Sequence, residues 1–237
     1  AAFADCIYDI AGNCGAMFEA SITLNDQTVP TMTITAAEGA DGFTSNDASL
    51  ALTFTSSEAT TDFAEEDIKV TNGALSAFAA TSSTVYTATF TPTAEGAATI
   101  DVAASTFTDA AGNNNTVVDQ FNWTYDVTAP AGTIVNDGTG EDITYTGSDS
   151  TLSANWLAFT EDVSGIAKYE YAIGSTSGGT DIVTWTDNST TTSITKTGLS
   201  LTSGTAYYIS VRATDVAGNV STTVTSDGVT VDTAGPV

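Results

Sequence analysis

The sequence predicts an all-β chain of tandem antiparallel β-sandwiches arranged as an extended rod. Three observations predict it. First, the phrase Asp9-Ile10-Ala11-Gly12-Asn13 returns as Asp109-Ala110-Ala111-Gly112-Asn113 and as Asp215-Val216-Ala217-Gly218-Asn219, at intervals of 100 and 106 residues. That interval is the size of one sandwich, about 100 residues, so the phrase marks a repeated unit. Second, short runs alternate apolar and polar residues between turns rich in Gly, Asn, Asp and Ser, the period of half-buried strands. Third, hydrophilic joints containing Pro recur at the same spacing, at Asn25–Pro30, Tyr125–Pro130 and Val231–Pro236. Proline fixes φ and restricts the residue before it, so these joints should be stiff and extended.

Taken in order, residues 1–29 hold one copy of the phrase and a single following strand, and read as the closing hairpin of a preceding domain. An alternative is that this segment completes a neighbour's sheet by strand addition. Residues 30–129 form the first whole unit. Its strand runs include Ser49–Thr55, Tyr86–Phe90 and Phe121–Tyr125, and one turn of helix is conceivable within Thr60–Asp67. Residues 130–232 form the second, with Lys168–Ile173 and Tyr208–Ala213 as its clearest strands, and residues 233–237 lead towards a further domain. Helical periodicity is absent throughout.

Composition narrows the function. Twenty-nine acidic residues face four basic ones (Lys69, Lys168, Lys196 and Arg212), a formal charge of −25. Such a surface repels phosphate backbones and anionic lipid, which excludes nucleic-acid and membrane-surface binding, and it attracts cations. No stretch approaches the ~20 apolar residues that a spanning helix needs. The chain has no His, so Ser-His-Asp and Cys-His catalysis are excluded. Carboxylate pairs are plentiful, but short-looped sandwiches offer no evident deep cleft. Cys6 and Cys14 flank the first phrase, where facing strands would allow a disulfide and an oxidising setting; two buried free thiols are the alternative. Asn114, Asn122, Asn188 and Asn219 begin Asn-x-Ser/Thr sequons, and alternation turns Asn122 outward for a possible glycan. Of the three tryptophans, Trp123 and Trp156 read as core, and Trp185 is the one open to the surface and to a sugar ring.

Residues 31–129 resemble the bacterial-type immunoglobulin-like repeats of large surface proteins and adhesins. The resemblance rests on Phe54-Thr55-Ser56-Ser57-Glu58, on Phe63 with Asp67-Ile68-Lys69-Val70-Thr71-Asn72-Gly73, on Tyr86-Thr87-Ala88, on Thr91-Pro92-Thr93-Ala94-Glu95-Gly96 and on the DAAGN phrase. Ala59-Thr60 departs from it, standing where such repeats usually carry Pro-Val. Residues 131–232 resemble fibronectin type III-like domains, through Leu152–Trp156 and Gly204–Ala213. That likeness implies a tyrosine corner at Tyr207 and a plug at Leu201. Both families imply non-catalytic scaffolding, spacing or adhesion outside the cell, with neighbouring domains, a glycan or a surface receptor as partners.

Two readings of the phrase stand side by side. Asp can accept the turn's own amides, Gly supplies positive φ, and Asn tolerates a left-handed backbone, so turn chemistry alone is a sufficient account. The functional reading is calcium at the joints, as some adhesin repeats of this kind bind it. The loops facing the preceding domain would bring Glu58, Asp62 and Asp109 to Asp26 in the first unit, and Glu161, Asp162 and Asp215 to Asp126 in the second. Converging carboxylates without Lys or Arg repel one another, and a dication neutralises them. The acidic turn Asp137–Asp142 fits no EF-hand spacing and reads as a solvated loop. The expectation is therefore a non-catalytic structural segment of an extracellular multi-domain protein (a spacer, adhesin stalk or filament component), stiffened by calcium. A self-assembling filament or surface-layer subunit is one alternative. A carbohydrate-contacting accessory region of a secreted polysaccharide-degrading enzyme is another.

Overall fold

Thr and Ser alternate with large apolar residues, and this alternation decides which faces are buried. Along Leu50–Ser56 the side chains of Leu50, Leu52, Phe54 and Ser56 are buried while those between them are not. The computed structural model describes residues 10, 11, 26–161 and 163–234. The expectations for residues 1–25, for a Cys6–Cys14 disulfide and for Asp162 lie outside the described residues.

The first sandwich contains β1 (Met32–Ala36), β2 (Phe43–Ser45), β3 (Leu50–Ser56), β4 (Ile68–Thr71), β5 (Gly73–Ala80), β6 (Val85–Pro92), β7 (Gly96–Val102) and β8 (Phe121–Tyr125). One sheet has the order β1-β3-β6-β5 and the other β2-β8-β7-β4. All pairings are antiparallel except β2 with β8, where Phe43, Thr44 and Ser45 lie opposite Trp123, Thr124 and Tyr125. With β1 and β2 as two halves of one first strand, this is the ABED/CFG strand order of an immunoglobulin sandwich. A single 3₁₀ turn, Glu65–Asp67, enters β4. It falls at the one place where the sequence allowed a helical turn.

The second sandwich contains β9 (Val135–Asp137), β10 (Tyr145–Thr146), β11 (Thr151–Trp156), β12 (Ile166–Gly174), β13 (Val183–Asp187), β14 (Ser193–Thr197), β15 (Ala206–Asp215), β16 (Val224–Thr225) and β17 (Val229–Val231). Its three-stranded sheet runs β14-β11-β9, and the larger sheet runs β10-β17-β15-β12-β13 with β16 also on β15. The last strand is thus broken, and residues 226–228 separate its halves. Tyr207 is buried, and its hydroxyl accepts the Thr202 amide at 2.9 Å, the tyrosine corner that the resemblance implies. Leu201 packs in the same core.

Each sandwich buries its own apolar cluster. Phe54, Phe90, Phe107 and Trp123 are at most 1% exposed in the first. Trp156, Tyr169, Ile173, Ile209 and Val211 anchor the second, and the two clusters share no residue. Burying one large side chain is worth about 1.5–3 kcal/mol, so each cluster can sustain a unit of this size.

The acidic joints as candidate functional site

The joint segments Asp26-Gln27-Thr28-Val29-Pro30 and Asp126-Val127-Thr128-Ala129-Pro130 follow one pattern, and the backbone shows why. In each, the Asp side chain accepts the amide two residues on: Thr28 donates to Asp26 Oδ1 at 2.9 Å, and Thr128 to Asp126 Oδ1 at 3.0 Å. This short ring fixes the backbone ahead of the proline.

The DxAGN turns clasp those joints. Gly112 and Gly218 have φ of 87° and 94°, which closes each turn with little steric cost. Asp109 accepts Asn113 through its amide and its Nδ2, each at 2.8 Å. The same Nδ2 donates to the Asp26 carbonyl at 3.1 Å. The second joint repeats this arrangement. Asn219 donates to Asp215 through its amide at 2.8 Å and Nδ2 at 2.9 Å, and its Nδ2 reaches the Asp126 carbonyl at 3.0 Å. The closing Asn, which sequence reasoning treated as a turn residue, is the side chain that holds the linker.

The second joint is also gripped from the first sandwich. The Asp126 amide donates to the Ser45 carbonyl at 3.1 Å, and Asn46 Nδ2 donates to Asn219 Oδ1 at 2.9 Å. Glu95 accepts the Val127 amide and the Thr128 hydroxyl, each at 2.8 Å, and these bonds hold its carboxyl below the usual range. Sequence reasoning missed Glu95, although it stands in the Pro-Thr-Ala-Glu-Gly turn quoted above.

The predicted carboxylates fall into three groups. Asp26, Glu58 and Asp109 converge, with one oxygen from each within 4.8 Å of the others. Desolvation, then the charges of Asp26 and Asp109, pushes the Glu58 carboxyl upward, whereas the Asn113 side chain holds Asp109 low. Asp62 stands apart from that group. It accepts the Thr108 amide and hydroxyl and the Thr60 hydroxyl, which ties two loops together. At the second joint, Asp126, Glu161 and Asp215 form no such triple among the described residues. Glu161 instead accepts the amides of Val163 and Gly165 in its own loop. Asp126 is 0% exposed, however, and its Oδ2 has no hydrogen-bond partner.

Residues 26–125 match the bacterial Ig-like domain family. The Ig-like match begins at Asp26 and ends at Tyr125, so it takes in one joint and stops short of the next. Among curated proteins, none matches the chain. Of solved structures, domains A168–A170 of titin are similar at 15% identity and a TM-score of 0.49, covering 86% of this chain and 67% of that one. Fibronectin(III)-like modules of Clostridium thermocellum CbhA are similar at 14% identity and a TM-score of 0.37, covering 84% and 94%. Both likenesses are distant, and the sandwich topology rests on the strand orders themselves.

Asn122 alternates with the buried Phe121 and Trp123 and lies on the outer face, half-buried, with its Nδ2 donating to Asp41 Oδ1 and to the Gln120 carbonyl, each at 3.1 Å. Asn188 Nδ2 donates to the Thr191 carbonyl at 2.7 Å, and Asn219 is the joint clasp. Of the four sequon asparagines, Asn114 is exposed and the other three are half-buried. Trp123 and Trp156 are core, as expected. Trp185 is half-buried, with the Arg212 guanidinium 4.3 Å from its ring centroid, and Arg212 also pairs with Glu170 at 3.0 Å. That cation covers a face which a sugar ring would need. Among the described residues no helix is long and apolar enough to cross a membrane.

Proposed function

We propose that this chain is a non-catalytic structural segment of an extracellular multi-domain surface protein, a spacer or stalk whose joints are stiffened by calcium. Ig-like and fibronectin III-like sandwiches are typically non-catalytic, and bacterial Ig-like domains usually occur in surface proteins. The observation that carries the reading is the repeated clasp, in which an Asn from the DxAGN turn holds the backbone of the preceding Asp at both joints. A construction repeated at successive joints serves their spacing and angle rather than any one pocket.

Calcium fits the carboxylates at the joints. Asp26, Glu58 and Asp109 bring three like charges together, and the buried Asp126 keeps an oxygen without a donor. Calcium accepts 6–8 oxygens from carboxylates, carbonyls and water, and both joints offer carboxylate and carbonyl oxygens. Small-angle scattering and thermal unfolding with calcium and with chelator test this reading. The expected result is a higher Tm and a narrower distribution of joint angles with calcium. Identical scattering and melting in both conditions would rule calcium out and leave the hydrogen-bonded clasp as the sole stiffening device.

A further inference from the structure

Asp137 closes β9, an edge strand of the second sandwich, and belongs to a different acidic group from the joint residues described above. Its side chain is 0% exposed. The Gly228 amide donates to Oδ2 at 3.0 Å, and the Ser226 hydroxyl also bonds the carboxylate. Its Oδ1 has no hydrogen-bond partner. An orphaned oxygen on a fully buried carboxylate is costly unless a cation or a proton meets it. Burial, with the charges of Asp142 and Asp227 adding to it, raises this carboxyl to about 6.

The surroundings offer a cation's coordination shell. Asp142, from the turn after β9, and Asp227, from the break between β16 and β17, each bring a carboxylate oxygen so that all three groups lie within 4.8 Å of one another. Oxygens bound to one calcium at 2.3–2.6 Å stand no more than about 5 Å apart, so this spacing matches a shared ion. Asp142 is already oriented, since its Oδ1 accepts the Asp137 amide at 2.8 Å. The Asp142–Asp227 side opens to a cavity of about 240 Å³ with room for completing waters. Ion pairs among the described residues engage only Glu170 and Asp187, so no basic side chain neutralises this group.

We infer that Asp137, Asp142 and Asp227 form a divalent-cation site of calcium type within the second sandwich. β9 belongs to the three-stranded sheet and the break at Asp227 to the larger one, so the ion staples the two sheets along their open edge. The acidic turn that reads as a solvated loop in the sequence is one wall of this site. It differs from the joints in using a single sandwich, so it would be filled whether or not a neighbouring domain is present.

Calcium titration of the full chain, followed by amide NMR at Gly228 and Asp137, tests the assignment. These two amides are expected to shift with a midpoint at or below about 1 mM, the weak end for extracellular calcium modules. Asp142→Asn and Asp227→Asn, both at exposed positions, should weaken that midpoint at least tenfold while the spectrum stays folded. Glu58→Gln, at the first joint, should leave it unchanged. Saturating calcium that leaves Gly228 and Asp137 unmoved would overturn the proposal, as would a midpoint that neither exposed substitution alters.

Discussion

Asn219 makes three of the bonds on which the second joint depends, to Asp215, to the Asp126 carbonyl and from Asn46. A net hydrogen bond is worth about 1 kcal/mol, so Asn219→Ala should cost roughly 2–3 kcal/mol and lower the unfolding midpoint of the second sandwich. Asn114→Ala, on the exposed neighbour of the equivalent turn, should change it little. Calorimetry on both variants checks the contrast. Asp181 provides a pH test away from any acidic cluster. Its carboxylate accepts the Ser175 hydroxyl at 2.7 Å and amide at 3.0 Å, and these bonds hold its pKa below the ordinary 3.8. Because the folded pKa is depressed, the contribution is fully present above pH 3.8 and is lost as pH falls through the lower folded value. Exchange protection of the Ser175 amide should therefore persist at neutral pH and vanish in stronger acid, and Asp181→Asn should remove the dependence. At this scale the phrase Asp-x-Ala-Gly-Asn was legible because it recurs. What its Asn touches was not, because the partner lies 87 or 93 residues earlier and only folding brings the two together.

Among the elements, alternation did most of the prediction. Val85–Pro92, Phe121–Tyr125, Ile166–Gly174 and Ala206–Asp215 contain the strand runs read from period two, and Leu50–Ser56 takes in all of Ser49–Thr55 but its first residue, because a half-buried strand must alternate. Shorter elements such as Tyr145–Thr146 and Val224–Thr225 left no such trace: two residues are too few for a period. The break between Val224–Thr225 and Val229 is what brings Asp227 to Asp137, and no local pattern announces it. The separateness of the two cores yields a prediction here. Phe54→Ala, at a fully buried site, should cost about 3–5 kcal/mol in the first sandwich. Its calorimetric transition should move while that of the second stays in place. Gly132→Ala should do the reverse, costing about 1–3 kcal/mol, because a Cβ there would overlap the Phe159 ring.

For the whole molecule, the charge of −25 sets the conditions under which joints and sandwiches hold. Raising sodium chloride from about 10 mM to about 0.15 M shortens the screening length from roughly 30 to 8 Å, and the Tm should rise with it. Calcium at matched ionic strength should raise it further, which separates binding from screening in one set of melts. The charge and the spacing of the units were readable from composition and repeats. The grip of Ser45, Asn46 and Glu95 on the second joint was not, since Ser45 and Asn46 at the end of β2 and Glu95 in the turn before β7 lie far from the joint in sequence.

The parallel pairings carry a consequence of their own. In each sandwich an early strand lies beside the last strand and runs the same way: β2 beside β8 through three residue pairs, and β10 beside β17 through two. Pulling the chain by its ends would load these rungs in shear, all at once, instead of peeling them singly. The unit with three rungs should yield at higher tension than the unit with two, so a stretched chain would surrender its second sandwich first and keep the first as a reserve of length.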